Sequence, residues 1–239
     1  MRVDGHDHNP GAWPGLCDPP GASKPGILID DLDNVDDKGN ALETDGIPPM
    51  AEDPSLTPED LLTFGDLTWD ELVQLAEKVY APNYRARTLE PDSMWVGNEW
   101  VCNEGLETNW GAPTDPTNAC GSYFPIIYTR GDLTIAANGR GQGILLIQGD
   151  LTITGAHTFY GPVIIRGTLW ASGGGAISNF VGGVTAANIV LDDSRITGNA
   201  LIEYSSCAVN RAILNNSALT RVRPIENRSW VDLSSVISG

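Results

Sequence analysis

A six-residue repeat runs from Gly131 to Ser178 and reads Gly131-Asp-Leu-Thr-Ile-Ala, Ala137-Asn-Gly-Arg-Gly-Gln, Gly143-Ile-Leu-Leu-Ile-Gln, Gly149-Asp-Leu-Thr-Ile-Thr, Gly155-Ala-His-Thr-Phe-Tyr, Gly161-Pro-Val-Ile-Ile-Arg, Gly167-Thr-Leu-Trp-Ala-Ser and Gly173-Gly-Gly-Ala-Ile-Ser. Glycine opens seven of these eight hexads, although only 27 of the 239 residues are glycine. A period this regular indicates a fold built by stacking one small unit on the next.

Apolar residues occupy the third and fifth positions of most hexads, and this alternation is a strand signal. The strongest likeness is between every third hexad, as in Gly131-Asp-Leu-Thr-Ile and Gly149-Asp-Leu-Thr-Ile. Three hexads therefore make one coil, and the sequence predicts a mainly β fold, a short three-faced parallel β-solenoid with about 18 residues per coil. A glycine-rich insertion interrupts the repeat from Gly173 to Gly183, and we expect four to five coils in all. A β-sandwich is the competing fold, but it gives no reason for a six-residue period.

Charge divides the chain into two regions. Residues 1–125 hold 24 Asp and Glu against 6 Lys and Arg, whereas residues 126–239 hold 7 against 8. We therefore predict an acidic, loop-rich region over 1–125, packed on a β-solenoid over 126–239. The acidity disfavours nucleic acid and anionic lipid as partners and favours cations or basic proteins.

Two short helices are expected inside the acidic region. Thr57-Pro-Glu-Asp places a hydroxyl N-cap and a proline at the start of a helix near 58–64. Thr68-Trp-Asp-Glu is a capping box, and apolar residues at helical spacing follow it, which predicts a helix over 69–80.

Two clusters near the start of the chain carry metal-ligand types. Asp4-Gly-His-Asp-His brings carboxylates and imidazoles together, and Asp4, Asp7 and His8 are its candidate ligands. A polar turn without a metal is the alternative. The second cluster, Asp30 to Asn40, resembles a calcium loop but has Lys38 where an EF-hand needs an oxygen ligand, so we reject an EF-hand. Surface calcium stays the candidate cofactor.

The four cysteines are Cys17, Cys102, Cys120 and Cys207. None forms a CxxC pair, so a structural zinc site has no support. An even number fits two disulfides in an oxidising compartment, with three possible connectivities, and free thiols are the alternative. Cys102 and Cys120 flank one turn-rich loop and are the preferred pair.

Three tryptophans, Trp95, Trp100 and Trp110, lie in the irregular segment 81–125. They are candidate ligand-facing aromatics for stacking on sugars. Their alternative role is to pin a long loop onto the core.

Catalysis has weaker support, and we expect no enzyme. The candidate carboxylates for polysaccharide cleavage are Asp132, Asp150, Asp192, Asp193 and Glu203, with Arg166 as a cation. Aspartate after a glycine corner is, however, typical of a turn. His157 takes an inward position of its hexad, which favours a core histidine over a general base.

A family resemblance extends over most of the chain. The segments from Tyr123 to Ile135, Gly143 to Leu151 and Phe159 to Gly167 resemble the C-terminal region of PilX-type pilus assembly proteins of bacteria. The early Asp4-Gly-His-Asp-His, Asn109-Trp-Gly and late Tyr204-Ser-Ser-Cys are similar in order. Such proteins carry an N-terminal pilin-like membrane helix, which has no counterpart here. The coils alone also resemble bactofilins, which polymerise end to end.

The expected function is thus a non-catalytic structural or adhesive module of a type IV pilus-like assembly on a bacterial cell surface. The resemblance implies pilus-like or other surface proteins as partners, and glycans are alternative partners. The alternatives are a sugar- or calcium-binding module, a β-helix polysaccharide-degrading enzyme and a bactofilin-like filament subunit. The sequence has no apolar run long enough to span a bilayer, so we expect no membrane contact by this chain. We also expect the native protein to carry a leader or anchor before it.

Overall fold

The computed structural model describes residues 2–34, 42–57, 59–136, 138–171, 177–189 and 199–220. Sixteen strands and two α-helices form within these ranges. In chain order they are β1 (Arg2–Asp4), β2 (Ile27–Ile29), β3 (Glu43–Asp45), β4 (Met50–Glu52), α1 (Trp69–Gln74), β5 (Lys78–Tyr80), β6 (Tyr84–Ala86), β7 (Ser93–Val96), β8 (Glu99–Cys102), β9 (Ile126–Thr129), β10 (Leu133–Ile135), β11 (Gly139–Gln142), β12 (Ile144–Ile147), β13 (Leu151–Ile153), β14 (His157–Ala171), β15 (Ile177–Ile189), β16 (Asn199–Tyr204) and α2 (Ser206–Leu214).

The hexad repeat forms a three-faced parallel β-solenoid, as predicted. On successive coils β10 pairs with β13, β11 with β14 and β12 with β14, always in parallel. Leu133 lies opposite Leu151, so the register step is the three hexads that the repeat predicts. Across the glycine-rich insertion the register step lengthens, and Thr158 lies opposite Asn179.

The stack is longer than the repeat predicts and has about seven turns instead of four to five. At one end β5 and β6 pair with β9 and β10. At the other end β1 pairs with β16, and β3 pairs with β1. Four strands from the acidic region thus extend the solenoid that the sequence assigns to 126–239.

The predicted helices are shorter than expected. The helix near 58–64 is a single 3-10 turn at Asp60–Leu62, and Pro58 lies outside the described residues. The capping box at Thr68 starts α1 as predicted, but α1 ends at Gln74 and not at residue 80. Lys78–Tyr80 forms β5 instead, because pairing with β9 outweighs local helix propensity.

Two hydrophobic clusters lie on opposite sides of the sheet that contains β12. The solenoid interior holds Leu145 and Ile147 among stacked aliphatic side chains, together with Trp110, Phe159 and Phe180. On the outer side, Ile144 and Leu146 pack under Trp13, Trp69, Leu72, Ala208 and Ala212. Both sides of β12 are therefore buried, and α1, α2 and the segment around Trp13 form a cover over this face.

Candidate binding site

The strands β7 and β8 form an antiparallel hairpin whose tip is exposed. Gly97 has φ 63° at the first position of its two-residue turn, which is where a type II′ turn needs glycine. The register places Trp95 directly opposite Trp100. Side chains that are opposite each other in a pair of strands lie on the same face, so the two indoles form one aromatic pair.

Solvent reaches both faces of this hairpin. Trp95 is 56% exposed and Trp100 is 61% exposed, and their ring centroids lie 5.4 Å apart at 73°. Met94 and Val96, which alternate with Trp95 along β7, are also about half exposed, at 45% and 50%. Exposed apolar residues that are grouped in this way are typical of interaction surfaces.

The base of the hairpin is held rigidly. The predicted disulfide between Cys102 and Cys120 is present and ties β8 to the following loop. The Asn103 side chain donates a hydrogen bond of 2.6 Å to the Asp92 carboxylate, and the Asn103 backbone N–H donates one of 2.9 Å to the Asp92 carbonyl. The fully buried Asn109 donates to the backbone carbonyls of Asp92 and Asn103. The exposed tip therefore stands on a cross-linked base.

The third candidate aromatic, Trp110, does not face a ligand, and that prediction is wrong. Its side chain is fully buried in the solenoid interior against His157 and Phe159. Its indole N–H donates to the Tyr80 hydroxyl at 2.9 Å. Trp110 has the alternative role of pinning its loop onto the core.

The candidate metal ligands separate into two groups, because the hydrogen bonds of Asp7 come from Ser206 and Gly21 and not from an imidazole. Asp7 accepts hydrogen bonds from the backbone N–H and hydroxyl of Ser206 at 2.7 and 2.6 Å and from the N–H of Gly21. It therefore tethers the start of α2 to the N-terminal segment and is not placed to bind a metal with Asp4.

Asp4 lies in the other group, with two histidines and a second carboxylate. The potential ligand atoms of Asp4, His6 and Asp45 are all within 4.8 Å of one another. The Nε2 of His8 lies 3.2 Å from Asp4 Oδ2. Of the three predicted ligands, Asp4 and His8 are thus close together, and the structure adds His6 and Asp45.

Asp4 is almost completely buried. Burial raises the pKa of its carboxyl, but hydrogen bonds from the backbone and imidazole of His6, together with the nearby His8, outweigh this effect and hold the pKa below its usual value. The carboxylate form is thus the one that its surroundings favour.

The second acidic cluster is only partly described, since residues 35–41 lie outside the described ranges. Asp31 accepts from the N–H of Asp33 at 2.9 Å, and Leu32 donates its N–H to Glu52 at 3.1 Å. The first contact belongs to a local turn, and the second joins the cluster to β4. Surface calcium at this cluster stays a prediction.

Two of the carboxylates considered for polysaccharide cleavage bond to the next coil. Asp132 Oδ1 accepts the N–H of Asp150, and Asp150 Oδ1 accepts the N–H of Thr168, at 2.9 and 2.8 Å. Both are corner residues of the solenoid, as the turn interpretation predicts.

The other groups considered for cleavage do not join them. Glu203 lies on β16, and the Arg166 guanidinium lies 5.5 Å from the Trp69 ring. Asp192 and Asp193 are outside the described residues.

A cleft of about 490 Å³ opens near the hairpin base. Pro91, Asp115, Asn138 and Arg140 are among the residues that line it. Of the described carboxylates considered for cleavage, none is in this lining. His157 does not line it either: the ring is 1% exposed, and burial lowers its pKa to about 4, which is a poor value for a general base at neutral pH.

Several structural residues escaped the sequence-based predictions. The second disulfide joins Cys17 to Cys207 and ties the N-terminal segment to α2. The sequence left the connectivity open, and the Cys17–Cys207 pairing follows only once Cys102 is paired with Cys120. Asp45 had no signal, because it is distant along the chain from its partner Asp4 and lies in an unrepeated stretch.

The disulfides are typical of proteins in an oxidising environment. Among the described residues, no helix is long and apolar enough to cross a membrane. The geometry thus presents a rigid, cross-linked solenoid with one exposed aromatic hairpin. Comparisons with family models, curated proteins and solved structures gave no match.

Proposed function

We propose that the chain is a non-catalytic adhesive and structural module of an extracellular, type IV pilus-like assembly. It contacts a partner protein of that assembly through the β7–β8 hairpin. The observation that carries this proposal is the exposed pair of Trp95 and Trp100 on a base cross-linked by Cys102 and Cys120. The resemblance of the segments Tyr123 to Ile135, Gly143 to Leu151 and Phe159 to Gly167 to PilX-type pilus assembly proteins supports the kind of assembly.

The hairpin has the composition of a protein-binding hot spot. Tryptophan is enriched at such spots because it buries a large area at a low cost in side-chain entropy. The disulfide and the Asn109 hydrogen bonds hold the base, so less order has to be gained on binding. The two tryptophans and the pre-ordered base both favour binding to a partner protein.

The charge around the hairpin favours a basic partner. Residues 88–129 contain six Asp and Glu and no Lys or Arg. An apolar tip within an acidic segment is complementary to an apolar groove with a basic rim. We therefore expect the association rate to fall as salt is added, because salt screens the steering between opposite charges.

The ring geometry favours a protein over a sugar as the partner. Trp95 and Trp100 meet at 73°, so they do not form one flat platform for a pyranose ring. Met94 and Val96 add apolar surface on the opposite side of the hairpin. A wedge that is apolar on both sides fits a groove better than it fits a glycan chain.

The test is binding of the purified chain to surface filaments sheared from the source cells, measured by surface plasmon resonance. We expect saturable binding that weakens with salt and falls at least tenfold in Trp95→Ser/Trp100→Ser. Leu214→Ser is the control, since Leu214 is 71% exposed on α2. Equal binding by the hairpin variant would refute the proposal. Binding that a free sugar displaces, or saturable cleavage of a glycan, would favour the sugar-binding module or the enzyme.

A further inference from the structure

We propose that Asp4, His6 and Asp45 form a binding site for a divalent transition-metal ion of the Zn²⁺ class, with His8 beside it. This site would link β1 to β3 at one end of the solenoid. It is independent of the hairpin and of the proposed function.

Strand register brings the two carboxylates together. β1 and β3 are parallel neighbours, and Asp4 lies directly opposite Asp45. Val3, one residue before Asp4, belongs to the solenoid interior. Since side chains alternate along a strand, Asp4 and Asp45 both lie on the outer side of the stack. After β1 the chain bends at His6, whose ring lies on the same side as the two carboxylates.

The separations between donor atoms suit one small ion. His6 Nδ1 lies 2.9 Å from Asp4 Oδ1 and 3.7 Å from Asp45 Oδ1. Zinc–nitrogen and zinc–oxygen bonds are about 2.0–2.2 Å, so tetrahedral geometry puts neighbouring donors roughly 3.4 Å apart. Small rotations of the side chains are enough to convert the observed triangle into three ligands of such a shell.

Arg2 contacts the same two carboxylates through their other oxygen atoms. Its Nη2 atom lies 3.1 Å from Asp4 Oδ2 and 4.0 Å from Asp45 Oδ2. The guanidinium therefore approaches the Oδ2 atoms, whereas the Oδ1 atoms face His6. Each Oδ1 also accepts one backbone N–H, from His6 and Gly46 respectively, which orients the carboxylates as outer hydrogen bonds do in metal sites.

A second imidazole lies beside this group, next to the other oxygen of Asp4. His8 Nε2 is shielded from solvent and has no hydrogen-bond partner with good geometry among the described residues. It lies 3.2 Å from Asp4 Oδ2. His8 therefore lies beside the triangle, and either a rotated His8 ring or a water molecule would fill the fourth position of the shell.

The donor set selects the class of ion. Calcium requires six to eight oxygen ligands, whereas this group offers two carboxylates and one imidazole, with a second imidazole beside them. Imidazole together with carboxylate suits zinc and its neighbours in the first transition row. Bound there, the ion would fasten β3, the last strand of the stack, to β1.

The test is titration of the chelator-treated full chain with ZnCl₂ by calorimetry and with Co²⁺ by visible absorption. We expect one Zn²⁺ per chain and the intense absorption bands of tetrahedral Co²⁺. His6→Ala and Asp45→Asn should each weaken Zn²⁺ affinity by about 10-fold or more. Asp18→Asn is the matched control and should keep wild-type affinity, because Asp18 is an exposed carboxylate outside this group.

Circular dichroism at the titration temperature establishes that each variant is folded. Absence of zinc binding would overturn the proposal. So would unchanged affinity in both His6→Ala and Asp45→Asn, since the ion would then bind elsewhere. Heat from CaCl₂ without heat from ZnCl₂ would also overturn it and would favour the calcium interpretation.

Discussion

The carbonyl oxygen of Gly143 occupies the place where a side chain on Gly161 would begin. A Cβ built on Gly161 would overlap that oxygen, and Gly161 has φ 131°. Gly182 repeats the relationship one coil later, with its Cβ position 2.6 Å from the Gly161 oxygen. At this corner of the solenoid, glycine is required both by the close approach of successive coils and by the positive φ.

Replacing Gly161 by alanine should therefore destabilise the fold strongly. The added methyl group meets backbone rather than a movable side chain, so we expect a loss of roughly 3 kcal/mol or more in the free energy of unfolding. Urea denaturation followed by circular dichroism measures it. Gly183→Ala is the matched control, because a Cβ there meets nothing within 4 Å. Equal midpoints for the two variants would contradict the stacking argument.

His157 should make the protein sensitive to acid. Burial lowers its pKa to about 4 in the folded chain, from 6.5 in the unfolded chain. The unfolded state then binds the proton more readily, so the stabilisation is complete above pH 6.5 and is lost as the pH falls from 6.5 toward 4. The difference corresponds to roughly 3 kcal/mol.

His157→Phe removes this titration and keeps an aromatic ring beside Trp110 and Phe159. Urea denaturation at neutral pH and near pH 4 gives the stability lost on acidification for each protein. The variant should lose about 3 kcal/mol less than wild type. An identical loss in both proteins would show that His157 is not the acid-sensitive group.

The two disulfides should differ in their contributions to stability. Cys17 and Cys207 are separated by 190 residues, and Cys102 and Cys120 by 18. Loop-closure entropy assigns about 5 kcal/mol to the long loop and about 3 kcal/mol to the short one. Urea denaturation of the two Cys→Ser pairs should show the larger loss for Cys17→Ser/Cys207→Ser, and the reverse order would contradict this model.

Asp7 should stabilise the attachment of α2. Its carboxylate accepts two hydrogen bonds from Ser206 and one from Gly21, and an amide has only one oxygen to accept them. We expect Asp7→Asn to lower the free energy of unfolding by about 1–3 kcal/mol. Asp18→Asn, at an exposed position of the same segment, should change it little. Similar losses in both variants would show that these bonds contribute nothing specific.

The solenoid could be predicted because its information is local and repeated. Leu133 lies opposite Leu151, and both the glycine corner and the apolar positions recur at that spacing in the sequence. The terminal strands were not predictable in this way. Tyr84 lies opposite Leu133 although the two are far apart along the chain and share no repeated motif, so nothing in the local pattern specifies the pairing.

The cover over the outer face of β12 was signalled in the sequence, although the alternation of apolar and polar residues does not show it. Ile144-Leu-Leu-Ile is an unbroken apolar run, which is typical of a strand buried on both sides. The roles of the tryptophans had no such signal. Trp95 and Trp110 differ in whether the tertiary fold closes over them, and residue type and spacing do not reveal that. The sequence named Trp95 and Trp100 as candidates, but only the structure separates them from Trp110 and pairs them on one hairpin.

The most direct test of the hairpin contact is site-specific photo-crosslinking. A photoreactive side chain at Val96, near the hairpin tip, is compared with one at Leu214 on α2 during incubation with sheared surface filaments. We predict a single major crosslinked product from Val96, lost at high salt and in Trp100→Ser, and none from Leu214. Crosslinking from Leu214 alone, or equal products from both positions, would contradict it.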